Sequence, residues 1–290
     1  MTLERVDQIP TLPKRPADSH KGRFGSVLVV AGGRGMAGAA ALCGAACLRS
    51  GAGLVRVASA AEVQPIVATF EPSYMTYPLE NDADGFIRFE PARDTLARLL
   101  THADVLAIGP GLGQSADLRL LVRWVVESVE VPTVLDADGL NALVGQTDVL
   151  GRLARPLVVT PHPGEFARLV DRTIGEVQAD RENQAAALAR LSEHLVVVLK
   201  GAETVVTDGR RVYVNTTGNP GMATGGVGDV LTGVIAALFG QKLPAFEAAQ
   251  LGVYAHGLAG DIARDHNGEI GLIAGDVVDA LADAFDQLPA

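Results

Sequence analysis

Ser26–Ala31 (SVLVVA), Gly32–Gly38 (GGRGMAG), an Ala-rich run to about Ser50 and Leu54–Ser59 (LVRVAS) follow one another without interruption. The first segment is apolar at every position but its first, as a strand buried on both faces requires. The glycine turn, the Ala-rich helix and the second apolar strand complete a β-α-β unit, whose crossover is right-handed and whose strands are parallel. The same alternation continues downstream. Asp104–Gly109 (DVLAIG) reads as a strand running into GPGLG, and Ser115 to about Val129 as a helix with Ser115 at its N-cap. TVLDADGL begins as a strand and ends in a polar turn, and Pro156–Thr160 is a strand ending in PHPGEF. Thr173 and Glu176 form a capping box that opens a helix expected to reach about His194. Leu195–Gly201 is a further strand, and ETVVTDG with RRVYVNT predicts a hairpin closed at Asp208-Gly209. From Gly225 onward the pattern is helical in three stretches with no further strand. These readings predict an α/β fold of three layers, α/β/α, around a mainly parallel sheet. Residues 1–22 read as an N-terminal arm and 23–290 as a single domain.

The composition agrees with that class. The 290 residues are 48% hydrophobic and only 4% aromatic, with 33 glycines, which suits helices packed closely on a parallel sheet. A formal net charge of −10 argues against nucleic acid as a partner, because neutralising phosphates needs clustered Lys and Arg. An anionic ligand must then be held by backbone N–H groups and a few cations. Cys43 and Cys47, four apart in the Ala-rich helix, read as small core residues. The N-terminus has no apolar signal core and no run is long enough to span a bilayer, which leads to an expectation of a cytoplasmic protein with no membrane partner.

Function is expected where strands end, because open parallel sheets bind ligands outside the carboxyl ends of their strands. Five turns fall there: Gly32–Gly38, Gly109–Gly113, Asp136–Asn141, Pro161–Glu165 and Lys200–Thr204. Gly33, Gly35 and Gly38 have the G-x-G-x-x-G spacing of a dinucleotide fingerprint, but Glu62 comes late for the ribose-binding acid. A dehydrogenase site, a tight turn and a substrate-facing turn all stay open for that motif. GPGLG reads equally as a turn or a ligand-approach loop. His162, bracketed by two prolines, favours ligand contact, while Glu165 is either a cap or a ligand. Lys200 is either a phosphate-binding point charge or a solvated lysine. The strongest signal is Thr216–Leu238, where Gly225, Gly226, Val227 and Gly228 precede Asp229 at the start of an apolar helix. Free N–H groups there form an anion hole. A carboxylate beside a bound anion is unfavourable unless it has work to do, and deprotonating a hydroxyl that accepts a phosphoryl group is such work. The alternative is a plain cap. His256, mid-helix, reads as a packed residue. No Walker A sequence occurs.

As an ordered set, HKGRFG, AGGRGMAGAA, LRSGAGLVRVAS, GPGLG, DADGLNAL, TPHPGEF, VVLKGAET and NPGMATGGVGDVLTG is similar to the ADP- or ATP-dependent NAD(P)H-hydrate dehydratases of the ribokinase-like superfamily. The resemblance runs from about His20 to the C-terminal helices. It implies a lyase that uses ADP or ATP to dehydrate the S epimer of hydrated NADH or NADPH, releasing phosphate with AMP or ADP. It implies that Ala39, Gly111 and His162 contact the hydrate. Lys200, Gly201, Ala202, Glu203 and Thr204, with Gly228, would meet the adenine nucleotide, and Asp229 would be the catalytic base. It further implies Mg²⁺ bridging the nucleotide phosphates without a protein metal cage, a homotetramer, and a stand-alone dehydratase without the epimerase domain of many relatives. Some bacterial relatives carry Lys where this chain has Thr224, which shifts phosphate binding toward Lys200. A small-molecule kinase of the same superfamily, which would share Asp229 and the glycine hole, is the alternative, and a non-catalytic nucleotide sensor is a third reading.

Overall fold

The computed structural model describes residues 2–288. In chain order the elements are β1 (Glu4–Arg5), β2 (Ser26–Val30), α1 (Ala37–Arg49), β3 (Leu54–Ala60), α2 (Gln64–Val67), β4 (Met75–Leu79), α3 (Phe89–Leu100), β5 (Val105–Ile108), α4 (Ala116–Ser128), β6 (Thr133–Leu135), α5 (Ala137–Ala142), β7 (Leu157–Val159), α6 (Pro163–Leu169), α7 (Ile174–Ala179), α8 (Arg181–Ala189), β8 (Leu195–Leu199), β9 (Val205–Thr207), β10 (Arg211–Val214), α9 (Val227–Gly240), α10 (Ala245–Asn267) and α11 (Ala274–Asp286). The strands form one sheet in the order β1-β10-β9-β8-β7-β6-β5-β2-β3-β4. Among the described residues β9 alone runs against its neighbours. The order reverses where β2 lies between β5 and β3, and this is the switch point at which a crevice opens.

Strand periodicity sorts the core into two layers. Val27, Val29, Val134, Val196 and Val198 face α1, α9, α10 and α11, whereas Leu28, Val30, Leu135, Val197 and Leu199 face α3 to α8. Both layers are dry: Val27 through Ala31 are fully buried. Small residues let helices approach closely, and a Cβ at Gly233 of α9 would overlap the Cys43 carbonyl of α1. Cys43 and Cys47 are buried free thiols in that contact. At Gly109, where β5 ends, φ is +133° and a Cβ would overlap the Asp136 carbonyl. No helix of the described residues is long and apolar enough to cross a membrane.

Four sequence expectations are revised. The helix opened by the Thr173–Glu176 capping box ends at Ala179, and Asp180, at φ −152° and ψ 61°, starts a second one that stops at Ala189. The polar turn after β6 is itself a short helix, α5, whose N-cap position is Asp136. Met75–Leu79 is an additional edge strand. In the N-terminal arm, Glu4–Arg5 pairs in parallel with Arg211–Val212. The expected hairpin is present as β9 and β10, and Ser115 caps α4 by accepting from the Leu118 N–H at 3.0 Å.

Candidate active site

Strand alternation carries past the last hydrogen-bonded residues. Asp136 follows Leu135 and Lys200 follows Leu199, so both side chains emerge on the face covered by α9. There they meet. Lys200 Nζ lies 2.8 Å from Asp136 Oδ1 and 3.9 Å from Glu165 Oε2. Thr232 of α9 donates its hydroxyl to Asp136 Oδ2 at 2.7 Å, so both carboxylate oxygens of Asp136 are engaged. Asp136 is 1% exposed, Glu165 6% and Lys200 17% at the side chain, and the solvated-lysine reading of Lys200 is therefore wrong. Burial lowers the Lys200 pKa, but Asp136, Glu165 and Asp229 outweigh it and hold the ammonium above its usual value.

The N-terminus of α9 faces this group. The helix begins at Val227, with Gly226 as N-cap at φ +90°. Only a glycine takes that left-handed turn cheaply. No side chain caps it, which leaves the first-turn N–H groups available to an anion. A Cβ at Gly228 would lie 3.2 Å from Lys200 Nζ, so the ammonium sits directly against the helix mouth. Gly225 and Gly226 precede it in the same turn. Asp229 is the third residue of α9. Burial pushes its carboxyl up to about 7; Asp136, Asp138 and Glu165 add to the rise and Lys200 opposes it. A carboxyl poised near neutrality is suited to accept a proton at physiological pH. Its side chain caps nothing, so the plain-cap reading does not hold.

His162 is the N-cap of α6: its Nδ1 accepts from the Gly164 N–H at 3.0 Å, while Glu165 Oε2 accepts from the His162 N–H at 2.8 Å. Half of the His162 side chain is exposed, at 51%, so it caps and still faces the rim. Burial, Lys200 and Arg168 lower its pKa, which keeps the imidazole neutral near pH 7. Glu165 is both the cap partner and a member of the Lys200 cluster, and burial raises its pKa against the pull of Lys200. At the switch point Gly111, at φ +63°, approaches Met36 and Ala39 so closely that an added Cβ would sit 2.8 and 2.9 Å from their Cβ atoms. Ala39 and Gly111 therefore line one spot. Asp138 stitches the neighbouring turns by accepting the Gly113 N–H at 2.8 Å. Glu62 is held by Arg34 through two bonds of 2.8 and 2.6 Å, which removes it as a ribose-binding acid and disfavours the dehydrogenase reading of GGRGMAG.

The remaining positions of the Lys200–Thr204 turn are spread. Thr204 Oγ1 donates back to the Gly201 carbonyl at 2.9 Å. Ala202 and Glu203 are exposed, and Glu203, at φ +55°, lines a cleft of about 290 Å³ with Arg181, Val205 and Val214. His256 is buried as expected, with Nε2 3.0 Å from the Val227 carbonyl, and burial pushes it down to about 4. Sequence reading missed Asp136 and Thr232 as members of the cluster. The signal for Asp136 was its place immediately after a buried strand, and for Thr232 its position one turn after Gly228 on the same helix. Among the described residues, no three His, Cys, Asp or Glu side chains converge as a metal cage.

Residues 27–282 match the family model described as NAD(P)H-hydrate dehydratase. The chain belongs to the NAD(P)H-hydrate dehydratase family. It shares the ribokinase-like fold of that family. This family member is 48% identical over 272 residues to the bifunctional NAD(P)H-hydrate repair enzyme Nnr of Moorella thermoacetica, covering 93% of this chain and 51% of that one. The chain thus spans about half the length of the bifunctional relatives that it matches. It is 38% identical over 274 residues to the ADP-dependent (S)-NAD(P)H-hydrate dehydratase of Neisseria meningitidis, covering 92% of this chain and 86% of that one. The structure of the ADP/ATP-dependent NAD(P)H-hydrate dehydratase of Bacillus subtilis, co-crystallised with ATP/Mg²⁺, superposes with a TM-score of 0.79 at 31% identity, over 96% of this dehydratase family member and 94% of that chain.

Proposed function

We propose that this protein dehydrates the S epimer of hydrated NADH and NADPH at the expense of ADP or ATP. The observation that carries the reading is Asp229, a carboxyl raised to about 7 at the uncapped start of α9, beside the Lys200–Asp136 pair. The terminal phosphoryl group is placed against the N–H groups of Gly225 to Gly228, with Lys200 as its cation. Asp229 takes the proton of the ring hydroxyl as that oxygen attacks phosphorus and the bond to the leaving nucleotide breaks. The first-turn N–H groups stabilise the charge that develops on the phosphoryl oxygens. The phosphorylated hydroxyl then departs as phosphate, the neighbouring ring carbon gives up a proton, and the ring double bond returns. Hydroxyl becomes a good leaving group only through that transfer, which accounts for the need for a nucleotide.

Ala39, Gly111 and His162 are proposed to seat the hydrated dinucleotide, and Lys200, Gly201, Ala202, Glu203 and Thr204 with Gly228 the adenine nucleotide. Asp136, Glu165 and Asp229 place three acids around one lysine, so a polyphosphate needs further positive charge there. Mg²⁺ fits as an ion carried in on the phosphates, and it would supply charge neutralisation. A cytoplasmic homotetramer completes the reading, and sedimentation velocity checks the assembly.

The test mixes the protein with hydrated NADH, Mg²⁺ and ADP or ATP while absorbance at 340 nm and free phosphate are followed together. Equal molar recovery of both is expected. A stable phosphorylated alcohol in place of NADH would instead identify a small-molecule kinase, and no reaction with either nucleotide would end the proposal.

A further inference from the structure

The turn that follows β8 has to do two things at once: it sends Lys200 inward to Asp136 and carries Gly201–Thr204 around the rim. Its backbone is under constraint. Gly201 has φ +142° and Glu203, which is not a glycine, has φ +55°. On its outer side lies the cleft of about 290 Å³ lined by Gln178, Arg181, Glu203, Val205 and Val214 among others, so apolar packing does not hold the turn from there. Hydrogen bonds do.

Two of them come from one side chain. The break at Asp180 puts Arg181 at the first position of α8. Its Nη2 donates to the Leu199 carbonyl at 2.9 Å and to the Lys200 carbonyl at 3.3 Å, and its Nη1 donates to Gln178 Oε1 at 2.7 Å. The guanidinium fork points at Gly201: a Cβ there would be 3.1 Å from Nη1 and 3.2 Å from Nη2, with Cζ farther off at 3.5 Å. A planar fork is the shape that can serve two successive carbonyls and a third acceptor together, and a lysine cannot reproduce it. From the other side the Gly201 N–H donates to Thr204 Oγ1 at 3.3 Å and the Lys200 N–H to the Pro161 carbonyl at 2.9 Å. The peptide between Lys200 and Gly201 is thereby gripped on both of its polar edges. The Arg181 Nε is buried without a protein partner among the described residues.

We propose that Arg181 is a positioning residue for the nucleotide: by holding the Leu199 and Lys200 carbonyls it fixes the turn that aims Lys200 at the mouth of α9 and sets the path of Gly201–Thr204. The inference rests on the nucleotide reading given above. It does not make Arg181 a ligand of the nucleotide.

The experiment uses the full chain and two readouts, AMP and ADP binding by calorimetry and initial rates with each substrate varied in turn. In Arg181→Met the dissociation constant for AMP and the KM for ADP rise about tenfold or more, the loss expected when a hydrogen-bonded loop is released. The KM for hydrated NADH stays within about twofold. Arg181→Lys recovers only part of the affinity. Guanidinium ion at millimolar concentration tightens AMP binding to Arg181→Ala while leaving the wild type unchanged, a rescue that a merely structural role does not give. If Arg181→Met does not fold, Arg181→Lys and the rescue of Arg181→Ala carry the test. Nucleotide affinity within twofold of wild type in a folded variant, or equal shifts in both KM values without rescue, overturns the assignment. A wild type that binds no adenine nucleotide overturns the functional reading and the assignment with it, so the two failures are told apart by the wild-type titration.

Discussion

Asp229→Asn is expected to lower kcat for hydrate dehydration by about 10³-fold while nucleotide binding stays within a few-fold of wild type. The amide keeps the shape and can still donate to a phosphoryl oxygen, but it cannot take the hydroxyl proton. The same substitution should stabilise the protein. The Asp229 carboxyl sits near 7 in the folded state, well above an unfolded aspartate near 4. A group raised in this way contributes its stability below the unfolded value, and loses it as pH rises through the folded one. At pH 8 the wild type therefore carries an unfavourable buried charge that the neutral amide lacks, and the variant should melt several degrees higher at pH 8 and no higher at pH 4. Thermal scans at the two pH values, with single-turnover rates at 340 nm, check both halves. An active Asp229→Asn would leave the proton acceptor elsewhere.

Lys200→Met should damage stability and activity together. It removes the cation from Asp136 and Glu165, which are 1% and 6% exposed at the side chain. Removing one partner of a buried pair costs about 3–5 kcal/mol, because the other charge is left uncompensated. For a chain of this size that is roughly a 10 °C loss in Tm. The cation that opposes the rise at Asp229 also disappears, and the base becomes harder to ionise. A fall of at least about 100-fold in kcat/KM at pH 7 is expected, larger at pH 6 than at pH 8. Retained stability with lost activity would mean that Lys200 serves the nucleotide alone and that the buried acids find another partner.

The layered fold was readable because its central strands are apolar on both faces and its helices are announced by glycine turns and caps. The parts that were not readable lack such marks. Met75–Leu79 contains Pro78 and is only partly buried, which an edge strand tolerates but a sequence pattern obscures. Glu4–Arg5 is polar and becomes a strand only because Arg211–Val212 offers a free edge. The break at Asp180 is made without glycine or proline, in a stretch that would read as one helix. Within the site, Asp229 and the glycine turn were visible because a local motif carries them. The Lys200–Asp136 pair was not, since its members are 64 residues apart and meet only because two parallel strands present the same face to α9. Sequence places Lys200 on the rim; the fold alone says that it is buried against carboxylates.

A buried carboxyl at the start of α9 is, on this reading, the proton acceptor. Its most direct test is the pH dependence of kcat/KM for hydrated NADH, measured with saturating Mg²⁺-nucleotide in wild type and in Asp229→Asn. The wild-type rate is expected to rise with pH, to be half-maximal near 7 and then to level off, and the variant to keep a residual rate without that limb. A wild-type profile flat across this range, or the same limb persisting in Asp229→Asn, would contradict the assignment.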